Sequence, residues 1–482
     1  MSIRANYRLA YDRINTFLSS SKIFQNLPGS TYTVVNSTFG QAGGRFANLP
    51  KLSVPVKPSE LLTPPNNTTN QVYVFDPAYH TPKTHMWSLG FQYELFRNTK
   101  LQVDYIGRHA LNLLGAYNLD NFDIFNNGFL DAFNTVKAGG QSTLMNKLMA
   151  VDSRIRSGET GSDLIRRLYA SNLTNNSIGA LAKSVGTRFQ GGKSLAELSG
   201  LGSFFFVPYP QFMGGLFVID SNDFSHYHGL EIRLERSFTN GLSFSAAYTL
   251  SKSMDVRSFD PTSTVVSTGT SQSASATPFD LRNRYLNYAR SDFDRRNVWQ
   301  GRWAWELPFG RGKWLGKDLP GAINHVIGDW EVAGFLAIFS PRPFTVYSGQ
   351  YNLSSTVTST ADCKGCTPEM GTPFDDAASG YKWFFNQSQI ALFSNPVPGS
   401  MGNTGRNFFD QPRRWNMDIA LLKRIRISER HKLEFRAEAT NVTNSVSFAY
   451  PTTSIASSTF GRIKDSTVSG SRKIQMALKY SF

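Results

Sequence analysis

Long hydrophobic runs are missing from this sequence. No stretch approaches the roughly 18 consecutive apolar residues that a membrane-spanning helix requires. The longest candidate, residues 332–339, has the length of a buried strand. We therefore do not expect the chain to cross a membrane by helices. Aromatic residues make up 13% of the chain, which argues against disorder.

Charged residues are also scarce, at 18%, although Lys and Arg outnumber Asp and Glu by 50 to 35. The basic residues are scattered and form no dense stripe, so no nucleic-acid partner is predicted. We expect them on the lumen and rims of a barrel, where they would meet anionic ligands or lipopolysaccharide.

Only two cysteines occur, Cys363 and Cys366. A single CxxC pair lacks the second pair of ligands that a structural zinc site needs, and no βαβ pattern surrounds it. The spacing favours a local disulfide in an exposed loop within an oxidising compartment.

The N-terminus lacks a signal peptide, because residues 1–11 contain no basic segment followed by an apolar core. The side chains of the same residues alternate as they do within a β-strand. Two interpretations remain open. The chain is either soluble, or it is the C-terminal part of a longer exported protein, and we expect the second.

The C-terminal residues alternate between apolar and polar side chains, with only Ala477 neutral on the polar face. Lys473, Gln475, Lys479 and Ser481 form one face of the predicted strand. The apolar face, which would meet lipid and serve as the signal for the barrel assembly machinery, contains Ile474, Met476, Leu478, Tyr480 and Phe482. This pattern is typical of the closing strand of an outer-membrane β-barrel, and the alternative is a terminal amphipathic strand of a soluble β-protein.

Similar alternation recurs along the chain, and Asn240-Gly241 predicts a tight hairpin. Strands are predicted around residues 2–12, 87–95, 101–105, 226–237, 242–250, 299–307, 330–340, 415–421, 433–439 and 474–482. Short turns alternate with long loops, as in outer-membrane barrels. The longest insertion, 109–225, is partly helical in pattern, at 144–155 and 162–169. The predicted fold class is all-β: an incomplete antiparallel transmembrane β-barrel of about ten strands with long extracellular loops.

Two polar triads should face the lumen of this barrel. They are Glu231, Arg233 and Glu235 on one strand, and Glu434, Arg436 and Glu438 on another. Opposite charges on neighbouring strands explain them more simply than acid–base catalysis does. With no GxSxG or HExxH sequence in the chain, no enzyme is predicted.

His226 and His228 share one face of a strand, a spacing compatible with a metal. No further ligand is placed beside them by the sequence, and histidines are common at membrane interfaces. We therefore predict neither a metal site nor a cofactor.

Several segments, taken in order, resemble the C-terminal barrel of Oar-like TonB-dependent receptors. They are YHGLEIRLERSF (227–238), NGLSFSAAYTLSKS (240–253), DRRN (294–297), ELPFGRGK (306–313), GNTGR (402–406), RHKLEFRAEATNVTN (430–444), FGRI (460–463) and the terminal strand. The resemblance runs from about residue 84 to residue 482. It implies an outer-membrane location and energised import of a large ligand such as an oligosaccharide, a peptide or a metal chelate.

Members of that family also carry a signal peptide, a carboxypeptidase-regulatory-like domain, a TonB box and a plug, followed by a barrel of about 22 strands. None of the first four is recognisable here, so residues 1–482 are expected to be the C-terminal portion of such a barrel. TonB would then act only through the missing N-terminal region. Ligand contact is expected in the aromatic-rich loops 109–225 and 350–412. The alternative function is a passive pore or a surface adhesin without energy coupling.

Overall fold

A large antiparallel sheet organises the molecule. The computed structural model describes residues 1–13, 65–258, 278–428, 430–463 and 470–482. Ten long strands follow one another through the sheet in chain order, and two short strands join its side. The twelve are β1 (Ser2–Tyr11), β2 (Gln71–Phe75), β3 (Lys83–Phe96), β4 (Thr99–Asn118), β5 (Gly215–Thr239), β6 (Leu242–Asp255), β7 (Ala289–Arg290), β8 (Asn297–Glu306), β9 (Trp330–Phe339), β10 (Arg414–Arg426), β11 (Lys432–Thr440) and β12 (Lys473–Ser481).

Tight turns join neighbouring strands at one end of the sheet, which we call the short-turn end. The β5–β6 hairpin closes through Asn240 and Gly241, whose φ angles are 53° and 76°. Both central residues of a type I′ turn need positive φ, which Asn and Gly tolerate best. Asn98, with φ 64°, closes the β3–β4 hairpin in the same left-handed region. The sequence prediction for the Asn240-Gly241 hairpin is therefore confirmed.

The register of the strands separates apolar from polar side chains. Because residues opposite one another in a sheet point to the same face, one continuous row is apolar: Ile3, Phe91, Val103, Ile232, Tyr248, Trp299, Ile338 and Trp415. The next row points to the opposite face and is polar or small: Gln92, Gln102, Arg233, Ala247, Gln300, Ala337 and Asn416. The sheet thus has an apolar face and a polar face.

Both outer strands of this sheet pair on one side only within the described residues. β1 pairs with β3, and β12 pairs with β11. The prediction of an antiparallel sheet of about ten strands is confirmed by the ten strands in the main path.

Long connections emerge at the other end of the sheet, which we call the loop end. The insertion between β4 and β5 covers 119–214, so the predicted boundaries 109–225 were wrong. The strands run further because register irregularities at Ala110, Leu113 and Gly115 interrupt the alternation without ending the pairing. A β-bulge of this kind shifts side chains between faces and hides a strand from a period-two pattern.

The insertion folds into a compact group of helices, which we call the helical insertion (119–214). Its helices are α1 (Phe129–Lys137), α2 (Thr143–Met149), α3 (Gly161–Leu168), α4 (Ala170–Thr174), α5 (Ile178–Gly186) and α6 (Leu195–Leu198), with a 3-10 turn at Pro210–Phe212 and a short hairpin of Phe189–Gln190 with Lys193–Ser194. Thr160 caps α3 by accepting from the N–H of Asp163, and the Asp163 side chain returns the contact. Such a capping box satisfies two free backbone donors.

A second compact group, the phenylalanine unit, combines the β9–β10 and β11–β12 connections. Its buried core contains Phe344, Val346, Ala361, Phe384, Phe385, Phe409, Phe460 and Ile463. Its short strands are Pro343–Phe344, Asp362–Cys363, Phe374–Asp376, Tyr381–Trp383, Phe393–Ser394, Phe409–Asp410 and Arg462–Ile463, and its helix is α8 (Gln387–Ile390). A 3-10 turn (Arg284–Asn287) precedes β7, and α7 (Gly321–Ile327) lies between β8 and β9.

No helix among the residues described here is both long enough and apolar enough to span a membrane.

Candidate functional site

The candidate site is a cavity on the polar face, close to the loop end. It has a volume of about 660 Å³, and a second cavity of about 350 Å³ adjoins it. Tyr227, Ser253 and Phe293 line both. We call the two together the upper chamber. Its wall mixes hydroxyls, two aromatic rings and charged groups, which suits an amphipathic ligand better than a purely apolar one.

Two neighbouring strands supply the charged floor of the upper chamber. Arg108 on β4 lies opposite Tyr227 on β5, and its guanidinium is 5.8 Å from the centre of the tyrosine ring. Glu231 lies on the same face of β5, four residues further along, opposite Asp104 and Thr249. A cation and two carboxylates therefore lie within one polar surface.

The turn between β7 and β8 places Phe293 at the chamber. Asp294 holds this turn, because its carboxylate accepts the N–H of Ser253 at 2.7 Å. The hydroxyls of Ser253 and Ser291 are 2.8 Å apart, and Arg295 donates to the carbonyl oxygen of Ser340 at 2.7 Å. Phe293 nevertheless remains 55% exposed. Its ring is held at the cavity by buried polar groups instead of packing into a core.

Arg406 clamps the phenylalanine unit onto the strand ends. Its guanidinium donates to the carboxylate and the carbonyl oxygen of Asp255, at 2.8 and 2.9 Å, and to the carboxylate of Asp292 at 3.2 Å. Only 7% of the side chain is exposed. Burial opposes the charge, but the two carboxylates outweigh it and raise the pKa of Arg406. The GNTGR segment thus has a structural role.

A second group of charges lies beside this clamp. Arg257 donates to Asp223 at 2.6 Å, and Arg284 forms an ion pair with Asp220. Both carboxylates are almost completely buried. Charges of this kind persist in an interior only when they are paired, so these pairs fix the start of β5 to the loop that follows β6.

The two predicted polar triads occupy different environments. Glu231 lines the upper chamber, whereas Glu235 accepts a weak hydrogen bond from Ser245 at 3.4 Å. No ion pair joins the members of this first triad in the described part of the chain. In the second triad, Arg436 lies 3.7 Å from Glu434 and 3.4 Å from Glu438. The lumen-facing role of all six residues stays a prediction.

The predicted membrane-assembly residues form one exposed face of β12. Ile474, Met476 and Leu478 are 63%, 70% and 67% exposed, and Tyr480 and Phe482 continue the same face to the chain end. Their role as an assembly signal also stays a prediction.

The two histidines lie on the apolar face of β5. His228 is 2.7 Å from the hydroxyl of Tyr105, and the ring of His226 stacks on His109 at 4.2 Å. Across the described ranges, no three His, Cys, Asp or Glu side chains converge as metal ligands do.

Several aromatic residues of the two long loops are buried, whereas Phe204, Tyr209, Phe374 and Tyr381 are exposed. Phe129 and Phe133 fill the helical insertion, and Phe384, Phe385 and Phe409 fill the phenylalanine unit. They are therefore not available for the ligand contact that their abundance had suggested. Phe293, which the sequence analysis did not single out, is the exposed aromatic at the chamber. Its position between Asp292 and Asp294 is the only sequence signal for exposure.

Cys363 and Cys366 are joined in the structure, with Cα atoms 5.8 Å apart. They lie in the phenylalanine unit, where Cys363 pairs in register with Phe393. Oxidation of this pair in the cell stays a prediction.

A family model described as "Outer membrane beta barrel domain" matches residues 1–475. No curated protein sequence matches the chain.

Several solved structures are similar to this chain at low identity and low TM-scores. The outer membrane transporter YddB from Escherichia coli has a TM-score of 0.35 and 8% identity, over 86% of this chain and 34% of that one. The ferripyoverdine receptor of the Pseudomonas aeruginosa outer membrane has a TM-score of 0.33 and 8% identity, over 84% and 28%. The ferric-catecholate import receptor Fiu from E. coli K12 has a TM-score of 0.32 and 8% identity, over 99% and 32%. The chain spans about a third of the length of these proteins.

Proposed function

The chain belongs to the outer membrane β-barrel domain family, and on that premise we propose that it forms part of the wall of a receptor that imports a large ligand. The apolar face of the sheet meets lipid, and the polar face lines the lumen. The loop end faces the cell exterior, where the helical insertion and the phenylalanine unit surround the entrance. The lumen-facing groups include Glu231, Arg233, Glu235, Glu434, Arg436 and Glu438.

The upper chamber carries this proposal. A receptor needs a roomy polar cavity that opens beneath structured loops, and the larger cavity of the chamber, of about 660 Å³, supports this role. Phe293, Tyr227 and Arg108 supply the aromatic and cationic groups that recognise oligosaccharides, peptides or metal chelates. The clamp formed by Arg406 keeps the surrounding loops in place. An adhesin would not need a cavity on the polar face.

Energy coupling would follow the TonB-dependent pattern of Oar-like receptors. In that arrangement the TonB contact lies in a region of the receptor other than these strands.

The face formed by Ile474, Met476, Leu478, Tyr480 and Phe482 would be recognised by the barrel assembly machinery. Lipopolysaccharide would surround the outer rim of the apolar face.

Import by the source bacterium tests this function. The gene is deleted, and uptake of a panel of oligosaccharides, peptides and ferric chelates is measured with TonB present and absent. We expect loss of uptake of one ligand class, an equal loss without TonB, and no additive effect of the two deletions. A TonB-independent fall in the uptake of many small solutes would instead indicate a passive pore. Loss of surface attachment alone would indicate an adhesin.

A matched pair of variants then tests the chamber itself. Phe293→Ala should reduce import of that ligand without changing the amount of protein in the outer membrane. Phe96→Ala, which removes an exposed ring at the short-turn end of the sheet, should leave import unchanged. Equal effects of the two substitutions would contradict ligand contact at Phe293.

A further inference from the structure

One connection at the short-turn end is unlike the others. The β3–β4 and β5–β6 turns contain two residues each, and β10 ends at Arg426 only a few residues before β11 begins at Lys432. The β8–β9 connection covers 307–329 and contains the helix α7. We call residues 307–329 the interface segment. A hairpin needs no such length to connect two adjacent antiparallel strands.

The interface segment has a defined internal structure. The N–H of Gly310 donates to the carbonyl oxygen of Leu315, and the N–H of Leu315 donates to that of Pro308, at 2.9 and 2.8 Å. The side chain of Asn324 accepts the N–H of Arg311 at 2.6 Å, which ties the loop to α7. These contacts fix the first half of the segment against its helix.

Two side chains of the apolar face hold the end of α7. The indole N–H of Trp330 donates to the carbonyl oxygen of Val326 at 2.9 Å. The ammonium of Lys423 donates to the carbonyl oxygens of Val326 and Gly328. Trp330 and Lys423 are in-register partners on β9 and β10. Each lies two residues from a member of the apolar pair Val332 and Leu421, so both pairs point to the same face of the sheet. The C-terminal end of α7 therefore lies next to the apolar face.

The interface segment exposes large apolar side chains. Trp314 is 84% exposed and Val326 is 70% exposed. Leu315, Ile323 and Ile327 are also exposed. A water-facing loop of this size would not be expected to leave so much apolar surface uncovered.

Positive charge accompanies this apolar surface. Arg311 and Lys317 are exposed and stand on either side of Trp314 in the chain. Lys313 is neutralised by Glu306 at 2.9 Å, and Asp318 is the acidic residue beside Lys317. Tryptophan flanked by basic residues is characteristic of the boundary between hydrocarbon and phospholipid headgroups.

We propose that the interface segment docks on the inner-leaflet phospholipid surface of the outer membrane and anchors this end of the sheet at a fixed depth. The proposal rests on the proposed insertion of the sheet in that membrane. Trp314, Val326 and Ile327 enter the headgroup boundary, and Arg311 and Lys317 contact lipid phosphates. A phospholipid is favoured over a protein partner because the exposed surface continues directly from the apolar face through Trp330 and Lys423.

Depth-dependent quenching of tryptophan fluorescence tests the proposal. The full chain is reconstituted in phosphatidylethanolamine vesicles, with or without phosphatidylglycerol, that contain phosphatidylcholine brominated near the headgroup or deep in the acyl chain. The difference between wild type and Trp314→Phe isolates the signal of Trp314. We expect the bromines near the headgroup to quench Trp314 more strongly than the deep bromines do. Quenching should be about twofold greater in vesicles with phosphatidylglycerol than in vesicles without it. Arg311→Gln combined with Lys317→Gln should abolish that lipid preference.

A control variant keeps the outcomes distinct. The difference between wild type and Trp305→Phe isolates the fluorescence of Trp305. This exposed ring lies on the apolar face of β8, as Trp303 does. Its signal should be quenched by brominated lipid whatever happens to Trp314. Quenching of Trp305 but not Trp314 would overturn the anchor and leave the barrel proposal standing. No quenching of Trp305 would overturn both. If Trp314 becomes shielded from aqueous iodide only after periplasmic extract is added, a protein partner is indicated and the lipid anchor is overturned.

Discussion

The helical insertion and the sheet use apolar side chains in opposite ways. In the helical insertion, Phe129, Phe133 and Val136 are completely buried. In β12, Ile474, Met476 and Leu478 are more than half exposed. The chain thus contains one unit whose apolar residues are buried and another whose apolar residues are exposed.

In an outer-membrane barrel the two regions would fold against different solvents. The helical insertion gains stability by removing apolar surface from water, as a soluble domain does. The same force would destabilise a sheet whose apolar row faced water. Hydrocarbon removes that penalty, and the hydrogen-bonded strands satisfy their own backbone groups within it. Substitutions in the two regions should therefore respond differently to detergent and lipid.

The largest effect is expected in the core of the helical insertion. Phe133→Ala removes a fully buried ring and should lower the free energy of local unfolding by about 3–5 kcal/mol. Hydrogen exchange of residues 119–214 in the detergent-solubilised chain measures this change. Tyr285→Ala, at an exposed ring, should change it by less than about 0.5 kcal/mol. Similar exchange rates in the two variants would contradict a water-excluded core.

A comparable effect is expected at the clamp between the loops and the sheet. Arg406→Met leaves the buried carboxylate of Asp255 unpaired and should cost about 3–5 kcal/mol. Faster proteolysis of the 340–413 connection would report the loss. Arg282→Met serves as the control, because its ion pair with Asp280 leaves the guanidinium half exposed and should contribute at most about 1 kcal/mol. Equal protease resistance of both variants would mean that Arg406 does not hold the unit.

A smaller effect is expected on the apolar face. Ile232→Arg places a charge near the middle of the apolar row and should destabilise membrane insertion by about 2–4 kcal/mol. Urea titration of folding into vesicles, followed by heat-modifiable mobility, measures it. Arg233→Gln on the opposite face should have little effect. A larger loss from Arg233→Gln than from Ile232→Arg would reverse the assignment of the two faces.

The smallest effect concerns pH and the base of the helical insertion. Burial raises the pKa of Asp120 to about 7, although the N–H of Tyr209 donates to its carboxylate. An unfolded chain loses this proton near pH 4, so between about pH 4 and pH 7 the folded insertion binds more protons. Its stability should fall as pH rises through this window and level off above it.

Asp120→Asn provides the comparison for this titration. Hydrogen exchange of residues 119–214 at several pH values, corrected for intrinsic rates, should show a flatter profile in the variant. Asp152 and Glu159 have pKa values lowered to about 2 by their arginine partners, so they titrate below the window. An identical slope in wild type and variant would assign the pH dependence to other groups.

The strands were predictable because their physics is local. Period-two alternation and the Asn240-Gly241 turn depend on neighbouring residues, and both appear in the structure. The extension of β4 to Asn118 was missed because the bulges around Leu113 break the alternation while cross-strand hydrogen bonds continue. A pattern based on side chains alone does not detect those bonds.

The site was less predictable because distant segments build it. Arg406 meets Asp255 and Asp292 across more than a hundred residues of chain. Ligand contact was expected in the loop 350–412 because aromatic residues are common at binding surfaces, but that loop buries Phe384 and Phe409. Their burial depends on how two separate connections pack together, which composition does not report.

The state of the purified full chain with and without lipid tests the central claim most directly. Sedimentation and heat-modifiable mobility are measured in plain buffer, in detergent and after reconstitution into phospholipid vesicles. The exposed apolar face predicts a folded, heat-modifiable species in detergent and vesicles, and aggregation in buffer alone. A folded monomer that stays soluble in buffer without detergent would contradict it.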